Sequence, residues 1–168
     1  MKPFTLFLTL LFFSATLYSQ SLPEYTLKAA YLYNFALLSD WPESKKSSQT
    51  FNLCFFQNDL DEASDALNNK SIHDKILKTL IVSTPQEAVD CQMIFIREQE
   101  IQKSKKLIHA LSNQAILIVA ESPDIQDSHI TIFKENQKLA FNINLQRLKK
   151  TSLVLSSHLL KLAKRVNQ

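Results

Sequence analysis

No glycine occurs among the 168 residues of this chain. Average usage is about 7%, so a protein of this length carries roughly a dozen. The absence excludes several sites at once: the Gly-rich phosphate loop, the GxGxxG dinucleotide turn and the GxSxG nucleophile elbow. Those sites need glycine so that backbone amides can approach a ligand closely. Left-handed backbone positions must fall to Asn and Asp instead. Charge of one sign is also scarce. The net charge is +3, and there is no arginine-rich stripe and no basic run interleaved with aromatics. Nucleic acid is therefore not an expected partner.

Metal-binding residues are few and scattered. His73, His109, His129 and His158 have no second histidine or cysteine three or four residues away, and two cysteines cannot close a zinc site. "DLDEASD" gathers Asp59, Asp61, Glu62 and Asp65, without the glycine and the alternating ligands of a calcium loop. It reads as an acidic first helical turn, with Asp59 as the cap. None of the serines stands in a nucleophile context. No metal, no cofactor and no catalytic residue is expected, and the chain is not expected to be an enzyme.

What is present begins with a targeting pattern. "MKPFTLFLTLLFFSATLYSQS" places Lys2 before an uncharged run whose most apolar part is Phe4 to Phe13, followed by small and polar residues. This is the layout of a secretory signal over residues 1–21, with cleavage after Ser19 or Ser21. Its apolar core is short for a membrane span, which needs about 20 residues. Residues 22–168 then form one domain of periplasmic location, close to neutral in charge.

The mature chain opens with "YTLKAAYLYNFALLSDWP". The spacing predicts a helix from Tyr25 to Asp40, ended by Trp41-Pro42. Leu27, Ala30, Tyr31, Asn34, Phe35 and Leu38 make one face. Ala29, Leu32, Tyr33 and Ala36 make the other, expected to meet either the C-terminal helix or a second copy of the chain. A helix apolar on both sides is sandwiched or covered by a partner. Tyr31, Asn34, Phe35 and Trp41 are the candidates for an interface or a structural role. Asn34 raises the sharpest question, because it falls among residues expected to be buried. An unpaired buried amide costs about 1–3 kcal/mol. Either it ties the helix to a neighbouring loop, or it sits beneath a ligand or partner site.

Beyond the helix, strands alternate with helices. Phe51–Gln57, Ile76–Thr84, Cys91–Ile96 and Ala115–Glu121 read as strands. A short helix is expected in "LDEASDALN", another from Pro85, and an amphipathic one in "REQEIQKSKKLIHALS" with Ile101, Ile108 and Leu111 on one side. Continuously apolar strands alternating with helices indicate a mostly parallel sheet covered on both faces. "HITIFKENQKLAFNIN" then reads as a hairpin turning around Glu135, Asn136 and Gln137. A brief helix, "LQRLKKT", and a last helix, "HLLKLAKRV", capped by Ser156 or Ser157, close the chain. The last helix carries Leu159, Leu162, Ala163 and Val166 on one side. The expected fold is an α/β three-layer sandwich with a C-terminal antiparallel hairpin. Export favours pairing of Cys54 with Cys91, while two buried free thiols remain the alternative.

These motifs together resemble the YfiR-like family of exported bacterial regulatory proteins. "YTLKAAYLYNFALLSDWP" is similar to its opening motif. "FNLCFF", "CQMIFI", "ILIVAESP" and "ITIFKENQKLAFNINLQRLKKTSLVLSSHLLKLAKRV" follow in the family's order over nearly all of the mature chain. The resemblance implies a compact α/β domain and a non-catalytic periplasmic repressor. Its partner would be an inner-membrane signalling protein, such as a diguanylate cyclase or a sensor kinase. It also implies a disulfide between Cys54 and Cys91, matching one family pair, and redox control through such cysteines. The chain departs from the family in lacking glycine in "FQNDLDEAS" and "KENQK" and a second cysteine pair in "NINLQRLKKTS". A periplasmic small-molecule binding or sensory module is the alternative reading.

Overall fold

The computed structural model describes residues 23–46, 48–56, 62–122, 125 and 127–168. The expected signal segment, residue 22 and the expected cap at Asp59 lie outside them. Helix α1 spans Glu24–Leu37. Pro23 starts it, its carbonyl accepting from the amides of Thr26 and Leu27. Glu24 places a carboxylate in the first turn, where the helix dipole favours it. The chain continues through β1 (Ser39–Asp40), α2 (Glu43–Lys46), β2 (Thr50–Phe56), α3 (Glu62–Leu67), β3 (Ser71–Ile72) and β4 (Lys75–Val82). After a single 3₁₀ turn at Glu87–Asp90 come β5 (Met93–Ile96), α4 (Ile101–Leu111), β6 (Leu117–Ala120), β7 (Ile130–Glu135) and β8 (Lys138–Asn144). The end is α5 (Leu145–Leu148), β9 (Val154–Leu155), α6 (Ser157–Leu162) and β10 (Arg165–Asn167).

Eight strands form one sheet in the order β10-β8-β7-β6-β5-β2-β4-β3, and β1 pairs with β9 in a small antiparallel sheet. The run from β4 through β2, β5 and β6 to β7 is parallel; β7–β8 and β3–β4 are antiparallel. The α/β fold, its helices on both sheet faces and its hairpin are those the sequence predicts. Strand pleating sorts the apolar runs between two cores. Phe51, Leu53 and Phe55 of β2, with Met93 and Phe95 of β5, face the core under α1. Cys54 and Phe56, with Ile94 and Ile96, face the core under α4. Burial on both faces is why these strands lack polar alternation.

Four expectations are corrected. First, α1 ends at Leu37. Ser39 and Asp40 leave the helix to pair with β9, and the Ser156 amide donates to the Leu38 carbonyl. Second, the buried stripe of α1 is Ala29, Leu32, Phe35 and Ala36, while Ala30 and Asn34 are exposed. The Ala29–Ala36 side is covered within the domain, sharing a core with Leu67 of α3 and Leu159 of α6. Third, the last helix stops at Leu162. Ala163 turns extended, the Lys164 amide donates to the Phe141 carbonyl, and β10 occupies the edge of β8. Leu162 is exposed, while Ala163 and Val166 pack on the core. Fourth, β4 is not buried on both faces: Leu77 and Val82 are, but Ile76, Leu80 and Ile81 are exposed. The crossover from β4 to β5 is one 3₁₀ turn, too short to cover that flank.

Without glycine, four other residues carry positive φ: Asn69, His73, Asn136 and Gln137. The two asparagines follow the expectation. His73 and Gln137 do not. Asn136 (φ 48°) and Gln137 (φ 64°) are together the two-residue turn between β7 and β8. A two-residue hairpin loop with both residues left-handed matches the right-handed twist of the strands.

Candidate interaction site

The cysteines are joined. Cys54 lies in β2 and Cys91 just before β5, with Cα atoms 6.0 Å apart. β2 sits between β4 and β5, so the two chain segments run side by side. Leu53 pairs with Met93, which leaves Cys91 near the start of its strand, diagonal to Cys54. Both residues are fully buried in the core under α4.

From Cys91 the structure leads directly to Trp41. The next residue, Gln92, accepts at its carbonyl from the Trp41 indole (Nε1 to O, 2.8 Å). Its side-chain Oε1 accepts from the Asn52 amide at 2.7 Å. Trp41 is buried, edge-on to Phe51 with ring centres 5.0 Å apart. Lys45 Nζ donates to the carbonyls of Val89 and Cys91. Burial holds the Lys45 ammonium below the usual lysine range, with Asp90 opposing the shift. Trp41, Gln92, Lys45 and the disulfide are therefore one mechanical unit. A cavity of about 250 Å³ opens beside it, and the Ser39 hydroxyl on its wall is buried without a hydrogen-bond partner.

The opening helix is pinned by aromatics. The Tyr31 hydroxyl donates to the Leu139 carbonyl at 2.8 Å, and its ring stands edge-on to Phe35 and Phe141, each 5.8 Å away. Phe35 and Phe141 are 4.9 Å apart. Tyr31, Phe35 and Trp41 thus hold the fold together. Asn34 stands apart on the outer face, its amide donating to the Ala30 carbonyl one turn back.

Charged groups missed by the sequence reading tie down the start of α1. Lys28 reaches Glu121 at the end of β6 (2.7 Å) and Glu24 (2.6 Å), and Lys134 of β7 also meets Glu24. Hydrogen bonds from Lys134 and Lys28 hold the Glu24 carboxyl below its usual value of 4.5. Burial works against the Lys28 charge, yet Glu121 and Glu24 more than offset it, and its pKa is raised. Glu24 and Lys28 keep the i, i+4 spacing of a helical ion pair, but Glu121 and Lys134 are far away in sequence, so no spacing rule signals them.

The histidines are dispersed. His109 is exposed, 3.6 Å from Asp127, and His158 is exposed in the first turn of α6. His129 is buried; its Nδ1 accepts from the Ile118 amide at 3.0 Å. Burial pushes its pKa down to about 4, and the Ser112 backbone opposes this only in part. Nε2 makes no hydrogen bond of good geometry. Among the described residues, no group of three or more His, Cys, Asp or Glu is arranged to hold a metal ion.

The fold and these contacts define a disulfide-braced α/β module whose aromatic and cysteine motifs fix its frame. More narrowly, the YfiR/HmsC-like family model matches residues 25–164, from the first turn of α1 to the residue before β10, and the chain belongs to that family. No curated protein matches it.

Proposed function

We propose that this is an exported, non-catalytic regulatory protein of the periplasm that represses a membrane signalling protein of the diguanylate cyclase kind. The family match over residues 25–164 carries this reading. The buried Cys54–Cys91 bridge supports it, since such bonds persist in oxidising compartments. The N-terminal signal pattern points the same way, with the mature chain starting after Ser19 or Ser21. A repressor of this kind works by binding one state of its partner more tightly than the other. Driving a partner from mostly active to mostly inactive requires a preference of about 10⁴-fold.

The test is crosslinking in intact envelopes with the mature, disulfide-bonded protein, followed by mass spectrometry of what it holds. Recovery of an inner-membrane protein with a periplasmic sensor segment and a cytoplasmic cyclase domain supports repression. Recovery of soluble envelope proteins alone contradicts it.

A further inference from the structure

Past β6 the described residues cover the sheet on one side only. Ile130, Ile132, Phe141 and Ile143 of β7 and β8 point into the core under α1. The core under α4 contains no residue of β7, β8 or β10. Pleating turns the intervening residues to that open side. The register then aligns them: Arg165, Asn142 and Thr131 stand side by side across β10, β8 and β7, with Asn167 and Asn144 in the next row. This polar floor is not flat. With Arg147 of α5 and Ser128 at its rim, it encloses a cavity of about 580 Å³, within the roughly 300–1,000 Å³ of small-molecule sites.

Three features of the cavity specify chemistry. The first is charge. Asp127 pairs with Arg147 at 2.8 Å, while among the described residues Arg165 has no carboxylate in ion-pair range. Between Asn136 and the C-terminus the sequence holds no Asp or Glu at all. The second is a wall of amides and hydroxyls: Asn142, Asn144, Asn167, Thr131 and Ser128 line it. The third is Phe133, half-buried on the wall, which offers an apolar surface among amides and hydroxyls.

We propose that this cavity binds a sugar acid, a small polyhydroxylated carboxylate. Arg165 receives the carboxylate in its planar fork of donors. Asn144 and Asn167 serve the ligand's hydroxyls, and the C–H face of the sugar ring lies on Phe133. One free guanidinium with Asp127 close by suits a single negative charge better than the double charge of a phosphate. The proposal does not rest on the repressor reading, because binding is measured on the isolated protein.

The experiment is an amide NMR titration of the mature, oxidised protein with D-glucuronate, D-galacturonate and D-gluconate, with D-glucose and inorganic phosphate as controls. At least one sugar acid is expected to give saturable shifts centred on β8 and β10, with a Kd near or below about 1 mM. Glucose and phosphate are expected to bind roughly tenfold more weakly or not at all. Arg165→Gln changes an exposed side chain, and is expected to keep the native spectrum while weakening binding roughly tenfold. Asn167→Ala, at another exposed lining residue, is expected to weaken it as well. The proposal is overturned if no sugar acid saturates by about 10 mM, or if the shifts map elsewhere. It is equally overturned if Arg165→Gln binds like the parent, or if glucose or phosphate binds as tightly as the acids.

Discussion

Reducing the Cys54–Cys91 bond is the perturbation whose effect can be worked through most fully. The bond joins positions 37 apart in the sequence. Loop-closure entropy then assigns it about 4 kcal/mol of stabilisation. For a domain of this size that is a fall in Tm of roughly 10 °C. Urea unfolding with and without a phosphine reductant measures the difference directly. Both sulfurs are buried, so reduction is expected to be slow under native conditions and to speed up as urea promotes opening. The protein has a single tryptophan, Trp41, whose indole is bonded to the residue after Cys91. Its emission is expected to change on reduction at urea concentrations well below global unfolding. The reasoning is refuted if protein isolated without reductant is alkylated at both cysteines. A stability difference below about 1 kcal/mol between the two forms also refutes it.

Other perturbations have defined outcomes. Phe35→Ala removes a ring that is 1% exposed and touches Tyr31 and Phe141; urea unfolding is expected to show a loss of about 3–5 kcal/mol. Asn34→Ala, on the outer face, is expected to change stability by less than about 0.5 kcal/mol in the same assay. His129 is buried neutral with its pKa near 4. Its contribution is complete above the unfolded value of 6.5 and is lost as pH falls toward 4, because the unfolded chain takes up the proton first. Urea unfolding should register about 3 kcal/mol over that window, and His129→Gln is expected to flatten the slope. Glu24 is depressed, so its contribution is present above the unfolded value of 4.5 and disappears as pH drops below it. Glu24→Gln is expected to remove that acid-side component.

Legibility in the sequence tracked how local the determining physics is. β2, β5 and β6 were readable because both their faces are buried and their runs are bounded by polar loops. The hairpin was readable from its turn. The Cys54–Cys91 pairing was readable from the export signal and from the match to one family cysteine pair. Asn34 misled because α1 is apolar nearly all round, so periodicity could not fix which stripe points inward. β10 misled because Leu159, Leu162, Ala163 and Val166 keep helical spacing; the exposed edge of β8 overrode it. β1, β3 and β9 are two residues long and carry no pattern of their own. The Lys28–Glu121 pair and the row of Arg165, Asn142 and Thr131 exist only after the sheet has formed.

The central claim is repression of a membrane cyclase from the periplasm. Cellular cyclic-di-GMP, measured in the native host with the gene deleted and then restored, tests it most directly. The account predicts that the level rises on deletion. It should return to normal with the exported protein and stay high with a version lacking residues 1–21. An unchanged level on deletion, in cells shown to make and export the protein, would contradict it.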